Sequence, residues 1–169
     1  MKRTALAIGL ALAMFGCTAK QSSLAPSKGA PDFDLENIRG GMTKSAEIKG
    51  KVAVVDFWAT WCEPCKAEIP HFNKLNDDYQ GKDVQVLGIA IESPHAEIAP
   101  TAKSLGIKYM VLAGNDDVVD GFGGVIGYPT TYIVTRDWKI YKKYLGALPD
   151  KEERIRKDID KLLASDGAD

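Results

Sequence analysis

The distribution of apolar and polar positions predicts buried strands separated by amphipathic helices. Residues 52–58 are almost continuously apolar and rich in β-branched and aromatic side chains, which is typical of a strand buried on both faces of a sheet. Residues 84–91 form a second run of this kind. Between them, a helix beginning near Cys62 is predicted from apolar or core-facing positions spaced by four, three and four residues, at Cys65, Ile69, Phe72 and Asn76.

Shorter segments complete an alternating pattern. Strands are predicted near residues 33–38, 42–48, 109–112, 130–135 and 139–145, and helices at 94–105, at 116–122 and from Asp150 onward. Asp150 and Glu153 have the spacing of a capping box for the last helix. Strands that alternate with helices and end in a hairpin predict an α/β fold, with a mixed central sheet flanked by helices.

The composition is that of an ordinary soluble domain. The 169 residues are 45% hydrophobic and 27% charged, which fits a single globular unit. Because 22 basic residues oppose 23 acidic ones, for a formal net charge of −1, no polybasic surface for nucleic acid is predicted. The three cysteines, at positions 17, 62 and 65, are too few for a disulfide-stapled scaffold.

The first residues have the pattern of a secretory signal. Lys2 and Arg3 precede an apolar run over residues 5–15, which is about half the length of a membrane-spanning helix. Gly16 and Cys17 resemble the end of a bacterial lipobox, and this resemblance implies lipidation of Cys17 after cleavage. The alternative is a plain cleaved signal with an incidental cysteine.

These features predict an exported protein on the periplasmic side of a bacterial membrane, lipid-anchored at Cys17. The expected organisation is a signal peptide, a flexible tether rich in Ser, Lys, Gly and Pro, one folded domain and a short tail, over residues 1–16, 17–30, 31–164 and 165–169.

The segment Cys62-Glu63-Pro64-Cys65 joins a predicted buried strand to a predicted helix. The free N–H groups and the dipole at a helix start favour negative charge, so the Cys62 thiolate is stabilised. Cys62 is therefore the predicted nucleophile, which attacks a substrate disulfide. Cys65, one turn further along the helix, is placed to attack Cys62 and release the reduced substrate.

Other roles for this cysteine pair are less favoured. A structural disulfide across so short a loop would constrain the unfolded chain little. A zinc site needs more ligands than two cysteines, and His71 and His95 would complete one only by chance. We expect no metal and no bound cofactor, because the two sulfurs carry both electrons.

Residues 55–66, together with residues 127–132, resemble the thioredoxin superfamily. More closely they resemble its TlpA/ResA-like branch of exported, membrane-anchored thiol-disulfide oxidoreductases. The resemblance covers residues 31–163. It implies a thioredoxin-like fold with an N-terminal extension and a helical segment inserted between Cys65 and Pro129.

The resemblance also implies a substrate-binding surface. Pro129 matches the cis-proline that faces the active site in this family, and a cis X-Pro bond is uncommon enough to need a reason. The backbone of Tyr128 would then offer strand-like hydrogen bonds to a bound peptide. Trp61, Glu63 and Pro64, around the first cysteine, complete the expected surface.

Two acidic residues are further candidates for the catalytic site. Asp56 stands at the place of the buried acid of thioredoxins, the proton acceptor for the second cysteine. A carboxylate in an apolar strand predicts a raised pKa, although Asp56 could instead be a structural partner of Lys51 or Lys66. Glu68 resembles a glutamate that tunes the proton affinity of the cysteines in ResA-like proteins; the alternative is a solvated helix carboxylate.

Taken together, the sequence predicts an exported reductase of protein disulfides. By resemblance, the leading substrate class is apocytochrome c, and electrons come from a membrane thiol transporter of the CcdA or DsbD type. The alternatives are a copper carrier or delivery module of the same fold, for which a further soft ligand is not evident, and a thiol peroxidase.

Overall fold

The computed structural model describes residues 28–165 of the chain. The predicted signal peptide, Cys17, most of the predicted tether and residues 166–169 lie outside the described residues. Within residues 28–165, no helix is long and apolar enough to cross a membrane.

Seven strands within the described residues form one mixed sheet, as predicted. Their bounds are β1 Asp34–Asn37, β2 Met42–Lys44, β3 Val52–Trp58, β4 Val84–Ala90, β5 Met110–Ala113, β6 Thr130–Val134 and β7 Ile140–Leu145. The strand order is β2-β1-β5-β4-β3-β6-β7. β3, β4 and β5 are parallel, whereas β6 and β7 at one side and β1 and β2 at the other pair antiparallel with their neighbours.

Four α-helices connect or follow these strands in the described part of the chain. They are α1 Glu63–Asp78, α2 His95–Ser104, α3 Asp116–Gly121 and α4 Lys151–Ser165. Each predicted helix is confirmed to within a few residues. On α1 the apolar face includes Leu75, which is buried, whereas Asn76 is only half-buried.

Two local predictions were wrong. The second arm strand, predicted over residues 42–48, ends at Lys44 and continues as a 3-10 turn over Ser45–Glu47. The predicted capping box of α4 is replaced by ion pairs one turn along the helix. These pairs join Asp150 to Arg154 at 2.7 Å and Glu153 to Lys157 at 2.6 Å.

β3 separates two apolar cores, which explains why all of its residues except Asp56 are apolar. Its alternate residues Val52, Val54 and Trp58 pack in one core with α1, α4 and both cysteines. Ala53, Val55 and Phe57 pack in the other core with α3, β1 and β6. Side chains alternate along a strand, so the remaining residue, Asp56, faces the core that contains the cysteines.

Residues 28–30, assigned from the sequence to the tether, already pair with the sheet. Gly29 forms a bridge with Lys139. The Ala30 N–H donates to the Trp138 carbonyl at 2.9 Å, and the Ile140 N–H donates to the Lys28 carbonyl at 3.0 Å. The chain therefore joins the domain at the start of β7.

Candidate active site

Cys62 and Cys65 are joined by a disulfide at the start of α1, just beyond the carboxyl end of β3. Cys62 is the N-cap residue, with an extended backbone, and its Sγ accepts a hydrogen bond from the Cys65 N–H at 3.2 Å. Pro64 lies in the first turn, where its missing N–H leaves no bond unmade. The Cys62 sulfur thus lies at the positive end of a helix, where a thiolate is favoured.

The surroundings of the two sulfurs differ. Cys62 lines a groove of about 470 Å³, together with Trp61, Glu63, Pro64, Glu92, Val125, Ile126, Gly127 and Tyr128. Both cysteines are buried, at 3% and 2% exposure, but Cys65 is not among the residues that line the groove. A substrate in the groove would therefore meet Cys62 first, which fits the predicted division between an attacking and a resolving cysteine.

The peptide bond between Tyr128 and Pro129 is cis, as the resemblance implies. The Tyr128 ring meets the Trp61 ring edge to face, with centroids 5.7 Å apart. Burial, with the nearby charge of Glu92, raises the pKa of Tyr128 to about 12, so its hydroxyl is neutral at physiological pH. The structure thus brings Trp61 and Tyr128 together at one wall of the groove, with Pro129 next to Tyr128 in the chain.

The loop after β4 holds the loop that precedes the cysteines. The carbonyl of Glu92 accepts a hydrogen bond from the Trp61 indole N–H at 2.8 Å, and the Ser93 hydroxyl accepts one from the Thr60 N–H at 2.9 Å. Glu92 has a φ of 47°, a left-handed conformation that costs a non-glycine residue about 1–2 kcal/mol.

The sequence analysis did not identify Glu92 and Ser93 as site residues. They follow a parallel strand adjacent to β3, and ligand sites in such sheets form at the carboxyl ends of neighbouring strands. That position was the signal that could have found them.

Asp56 is buried, at 2% exposure, and its Oδ1 accepts a hydrogen bond from the Thr131 hydroxyl at 2.7 Å. Burial raises the pKa of Asp56 to about 7; the positive charge of Lys151 and the Thr131 hydrogen bond oppose this rise, and the charge of Glu68 adds to it. The predicted direction is confirmed. Of the two lysines suggested as partners, Lys66 instead pairs with Glu63 at 2.7 Å.

Glu68 forms a buried ion pair rather than lying in solvent. Its Oε2 is 2.7 Å from the Nζ of Lys151, and the two side chains are 9% and 3% exposed. Lys151 also donates to the Gly146 carbonyl at 3.3 Å and lies 5.7 Å from the centre of the Phe72 ring. Sequence reasoning missed Lys151, because a lysine at the start of a polar helix gives no signal of burial.

The two histidines lie on the surface, as expected. His71 pairs with Glu152 at 2.7 Å and His95 with Glu36 at 2.9 Å. Among residues 28–165, no group of three or more His, Cys, Asp or Glu side chains is arranged to hold a metal ion.

A model of the AhpC/TSA family matches residues 26–143. The chain is 28% identical over 143 residues to the thiol-disulfide oxidoreductase ResA of Geobacillus thermodenitrificans, covering 85% of this chain and 81% of that relative.

Two solved structures share the architecture. The structure of a thiol:disulfide interchange protein of the thioredoxin family from Chlorobium tepidum matches with a TM-score of 0.74 and 25% identity, over 83% of this chain and 99% of that one. The exposed lipoprotein thioredoxin Etrx1 of Streptococcus pneumoniae matches with a TM-score of 0.69 and 25% identity, over 78% and 100%. The fold is therefore thioredoxin-like, as expected.

Proposed function

This chain belongs to the AhpC/TSA family and is a TlpA/ResA-like thiol-disulfide oxidoreductase of the thioredoxin superfamily, and from that premise we propose that it reduces disulfides in exported proteins. The observation that supports this most is the Cys62–Cys65 disulfide at the start of α1, with Cys62 facing the groove beside the cis peptide bond of Pro129.

The reaction proceeds by two thiol exchanges. The Cys62 thiolate attacks one sulfur of the substrate disulfide; a bond forms between Cys62 and that sulfur, and the other substrate sulfur leaves as a thiolate. Cys65 then loses its proton and attacks Cys62, which releases the second substrate thiolate and leaves the Cys62–Cys65 disulfide. Two electrons pass from the pair to the substrate, and the sulfurs carry both without a cofactor.

Asp56 accepts the proton of Cys65 in this proposal. A useful base is half ionised near the working pH, and burial places the pKa of Asp56 at about 7. Asp56 lies on the face of β3 that packs in the same core as Cys65. Glu68, three residues after Cys65 on α1, adds a negative charge that opposes ionisation of its neighbours.

The groove suits an extended polypeptide. The side chains of Trp61 and Ile126 are exposed at its rim, which provides an apolar surface beside Cys62. The backbone of Tyr128, which lines the groove, offers strand-like hydrogen bonds. Glu63 and Pro64 complete the wall next to the nucleophile. We include apocytochrome c among the proposed substrates.

Reduction of the Cys62–Cys65 disulfide requires an electron donor. We propose a membrane thiol transporter of the CcdA or DsbD type, with this chain exported to the periplasmic side and lipid-anchored at Cys17. The signal-like start of the sequence and its Gly16-Cys17 junction support this location, as does the similarity to the lipoprotein thioredoxin of S. pneumoniae.

A Cys65→Ser variant tests the reaction by blocking its second step. We expect this variant to accumulate mixed disulfides on Cys62, from which captured substrates can be identified by mass spectrometry. The matched control is Cys62→Ser, which keeps one cysteine of the pair but lacks the nucleophile and should capture nothing. Equal capture by both variants would contradict the proposed roles.

The direction of the reaction is tested by equilibration with glutathione. A reductase should have a potential near the reducing end of the superfamily, about −270 mV. A value near about −120 mV would instead assign the protein to disulfide formation. Consumption of hydrogen peroxide and binding of Cu(I) by the reduced protein test the peroxidase and copper-carrier alternatives, which predict turnover and tight binding respectively.

A further inference from the structure

The buried pair of Glu68 and Lys151 has no assigned part in the thiol exchange. We propose that Lys151 is a positioning residue for proton transfer: its ammonium, paired with Glu68, compensates the buried negative charge and so eases ionisation of Asp56, the carboxyl group that takes and returns the proton of Cys65. This inference rests on the proposed function and deepens it by naming the residue that sets the pH at which Asp56 accepts the proton of Cys65.

The three charged groups face one core from three elements. Asp56 lies on β3 between Val54 and Trp58, which share a core with Cys65, so the alternation of the strand directs it toward α1. Glu68 lies on α1, about one turn after Cys65. Lys151 is the first residue of α4, and its Nζ lies 2.7 Å from the Glu68 carboxylate.

A count of charges shows why one carboxyl group holds a proton. With all three groups ionised, this buried cluster has a net charge of −1; with one carboxyl group protonated, the net charge is zero. Burial disfavours an uncompensated charge. A proton is therefore taken up more readily than by an exposed carboxylate.

Direct contacts decide which carboxyl group takes the proton. Glu68 has the Lys151 ammonium at 2.7 Å, in a charge-assisted hydrogen bond. The direct partner of Asp56 is the neutral hydroxyl of Thr131, also at 2.7 Å. Protonating Glu68 would leave the Lys151 charge uncompensated, whereas protonating Asp56 leaves the ion pair intact. When the cluster takes up a proton, the proton therefore goes to Asp56.

The other groups around Asp56 do not compete for this proton. On β6, Thr131 lies opposite Asp56 in register. On β4, the residue opposite Asp56 is Gly88, which has no side chain. Tyr109, just before β5, is buried, and burial together with the charges of Asp56 and Glu68 holds the pKa of Tyr109 well above its ordinary value. The tyrosine therefore stays neutral.

The proton balances in each step. The Cys65 thiol passes its proton to the Asp56 carboxylate, which gives a Cys65 thiolate and a neutral Asp56. The thiolate then attacks the Cys62 sulfur of the mixed disulfide, the bond from Cys62 to the substrate breaks, and the substrate leaves as a thiolate. When a donor thiol reduces the pair, Asp56 returns the proton to Cys65.

The test follows the second step directly. When the reduced full-length protein reacts with dithionitrobenzoate, attack by Cys62 releases one thionitrobenzoate and attack by Cys65 releases a second, so stopped-flow absorbance separates the two phases. For the native chain we expect the second phase to accelerate as pH rises, with a half-maximum near pH 7.

In Lys151→Met, that half-maximum should move to higher pH by about one unit, because Lys151 favours the ionised form of Asp56. Well below the midpoint this corresponds to a second phase about tenfold slower. The matched control is Lys142→Met, which removes a lysine that pairs with Asp158 of α4 at 3.1 Å but lies outside the cluster. Its midpoint should equal that of the native chain.

Two further variants separate the proposed role from a structural one. Since Lys151→Met leaves Glu68 buried without its partner, the double variant Lys151→Met/Glu68→Gln removes both charges and should still show a raised midpoint. Lys151→Arg keeps the charge and should restore the native midpoint. The assignment would be overturned if Lys151→Met and the double variant both had the native midpoint. It would also be overturned if Lys151→Arg shifted the midpoint as far as Lys151→Met does.

The outcome is distinguishable from a failure of the proposed function. At pH 9, where Asp56 is ionised, the native chain should release both equivalents of thionitrobenzoate. Absence of the second release there contradicts the cysteine roles themselves. Two normal releases, with a pH profile that Lys151 does not affect, contradict only the role of Lys151.

Discussion

At the scale of single residues, Asp56 links stability to chemistry. It is a carboxyl group in the middle of a strand whose seven residues are all buried, and its pKa is raised to about 7, chiefly by burial. The unfolded chain releases this proton near pH 3.8. Since each unit of pKa difference corresponds to about 1.4 kcal/mol, ionising the folded protein costs it about 4 kcal/mol of stability above pH 7.

The first prediction concerns Asp56→Asn, which replaces this group with a neutral one of the same shape. Between about pH 4 and pH 7 folded Asp56 keeps a proton that the unfolded chain has lost, so the free energy of unfolding of the native protein falls as pH rises. The variant lacks this dependence. It should be more stable than the native protein at pH 8 by about 2–4 kcal/mol, and the difference should shrink at pH 4.

Urea unfolding of both oxidised proteins at the two pH values checks this. Thr131→Val, which removes only the hydroxyl that bonds Asp56, is a useful comparison because it leaves the titrating group in place. A stability difference between Asp56→Asn and the native chain that is the same at pH 4 and pH 8 would show that Asp56 does not titrate in this range.

Residue type made some of the site predictable. The two cysteines could be predicted because they lie at a strand-to-helix junction, and Asp56 because a carboxylate is unusual within an apolar strand. Lys151 could not be predicted as a buried residue. A lysine with several charged neighbours in sequence is typical of a solvated helix start, and only the packing of α4 against α1 brings it to Glu68.

At the scale of elements, β4 packs tightly at Gly88 against the core that contains the cysteines. Gly88 pairs in register with Asp56. A Cβ added there would lie 3.1 Å from both the Trp58 Nε1 and the Tyr109 Cε2, and both rings are buried. A glycine in a strand often marks such a close approach. Gly88 therefore lets two aromatic rings close over the sheet beside Asp56.

The second prediction follows from this contact. Gly88→Ala should destabilise the protein by about 1–3 kcal/mol, because neither buried ring can move without disturbing the core. The matched control is Gly29→Ala, since nothing lies within 4 Å of a Cβ added at Gly29. Thermal unfolding of both variants checks the difference. Equal stability of Gly88→Ala and the native chain would mean that Trp58 and Tyr109 are less tightly held than described.

Element types were predictable, but their ends were not always so. The apolar periodicity identifies each helix and strand of the sheet, because burial on one or two faces imposes it. β2 ends at Lys44 because the next residue, Ser45, is held by two hydrogen bonds. Its hydroxyl accepts from the Phe33 N–H at 3.2 Å and donates to the Asp32 carboxylate at 2.9 Å. These partners are distant in sequence, so no local pattern predicts them.

At the scale of the whole molecule, the N-terminal attachment and the cysteine pair lie at opposite ends of the sheet. Cys62 follows the carboxyl end of β3. In the antiparallel pairs, Thr130 and Leu145 lie at that same end, whereas Ile140 lies at the other. Gly29 joins the domain beside Lys139, at the end away from Cys62. The seven residues of β3 separate the two ends by about 20 Å, at roughly 3.3 Å per residue.

This arrangement sets a minimum length for the predicted tether. If Cys17 is lipid-anchored as proposed, the tether joins the domain at the end of the sheet away from the cysteine pair. For the pair to meet its proposed membrane donor, the tether must let the domain turn its other end toward the bilayer. The chain from Cys17 to Lys28 can span at most about 40 Å when extended, at roughly 3.6 Å per residue, which is about twice the depth of the sheet.

The last prediction is that shortening this segment uncouples the protein from its donor. Deleting residues 18–25 leaves the described domain intact, so reduction of a soluble disulfide by the purified protein should not change. In cells, however, the fraction of oxidised Cys62–Cys65, measured by thiol alkylation and gel shift, should rise because the pair no longer reaches the membrane. A Gly/Ser segment of the original length should restore the native fraction, since reach rather than sequence is required. Equal oxidised fractions in the deletion and the native chain would mean that the donor meets the pair without such a turn, either because it extends far from the bilayer or because the domain is not anchored at Cys17.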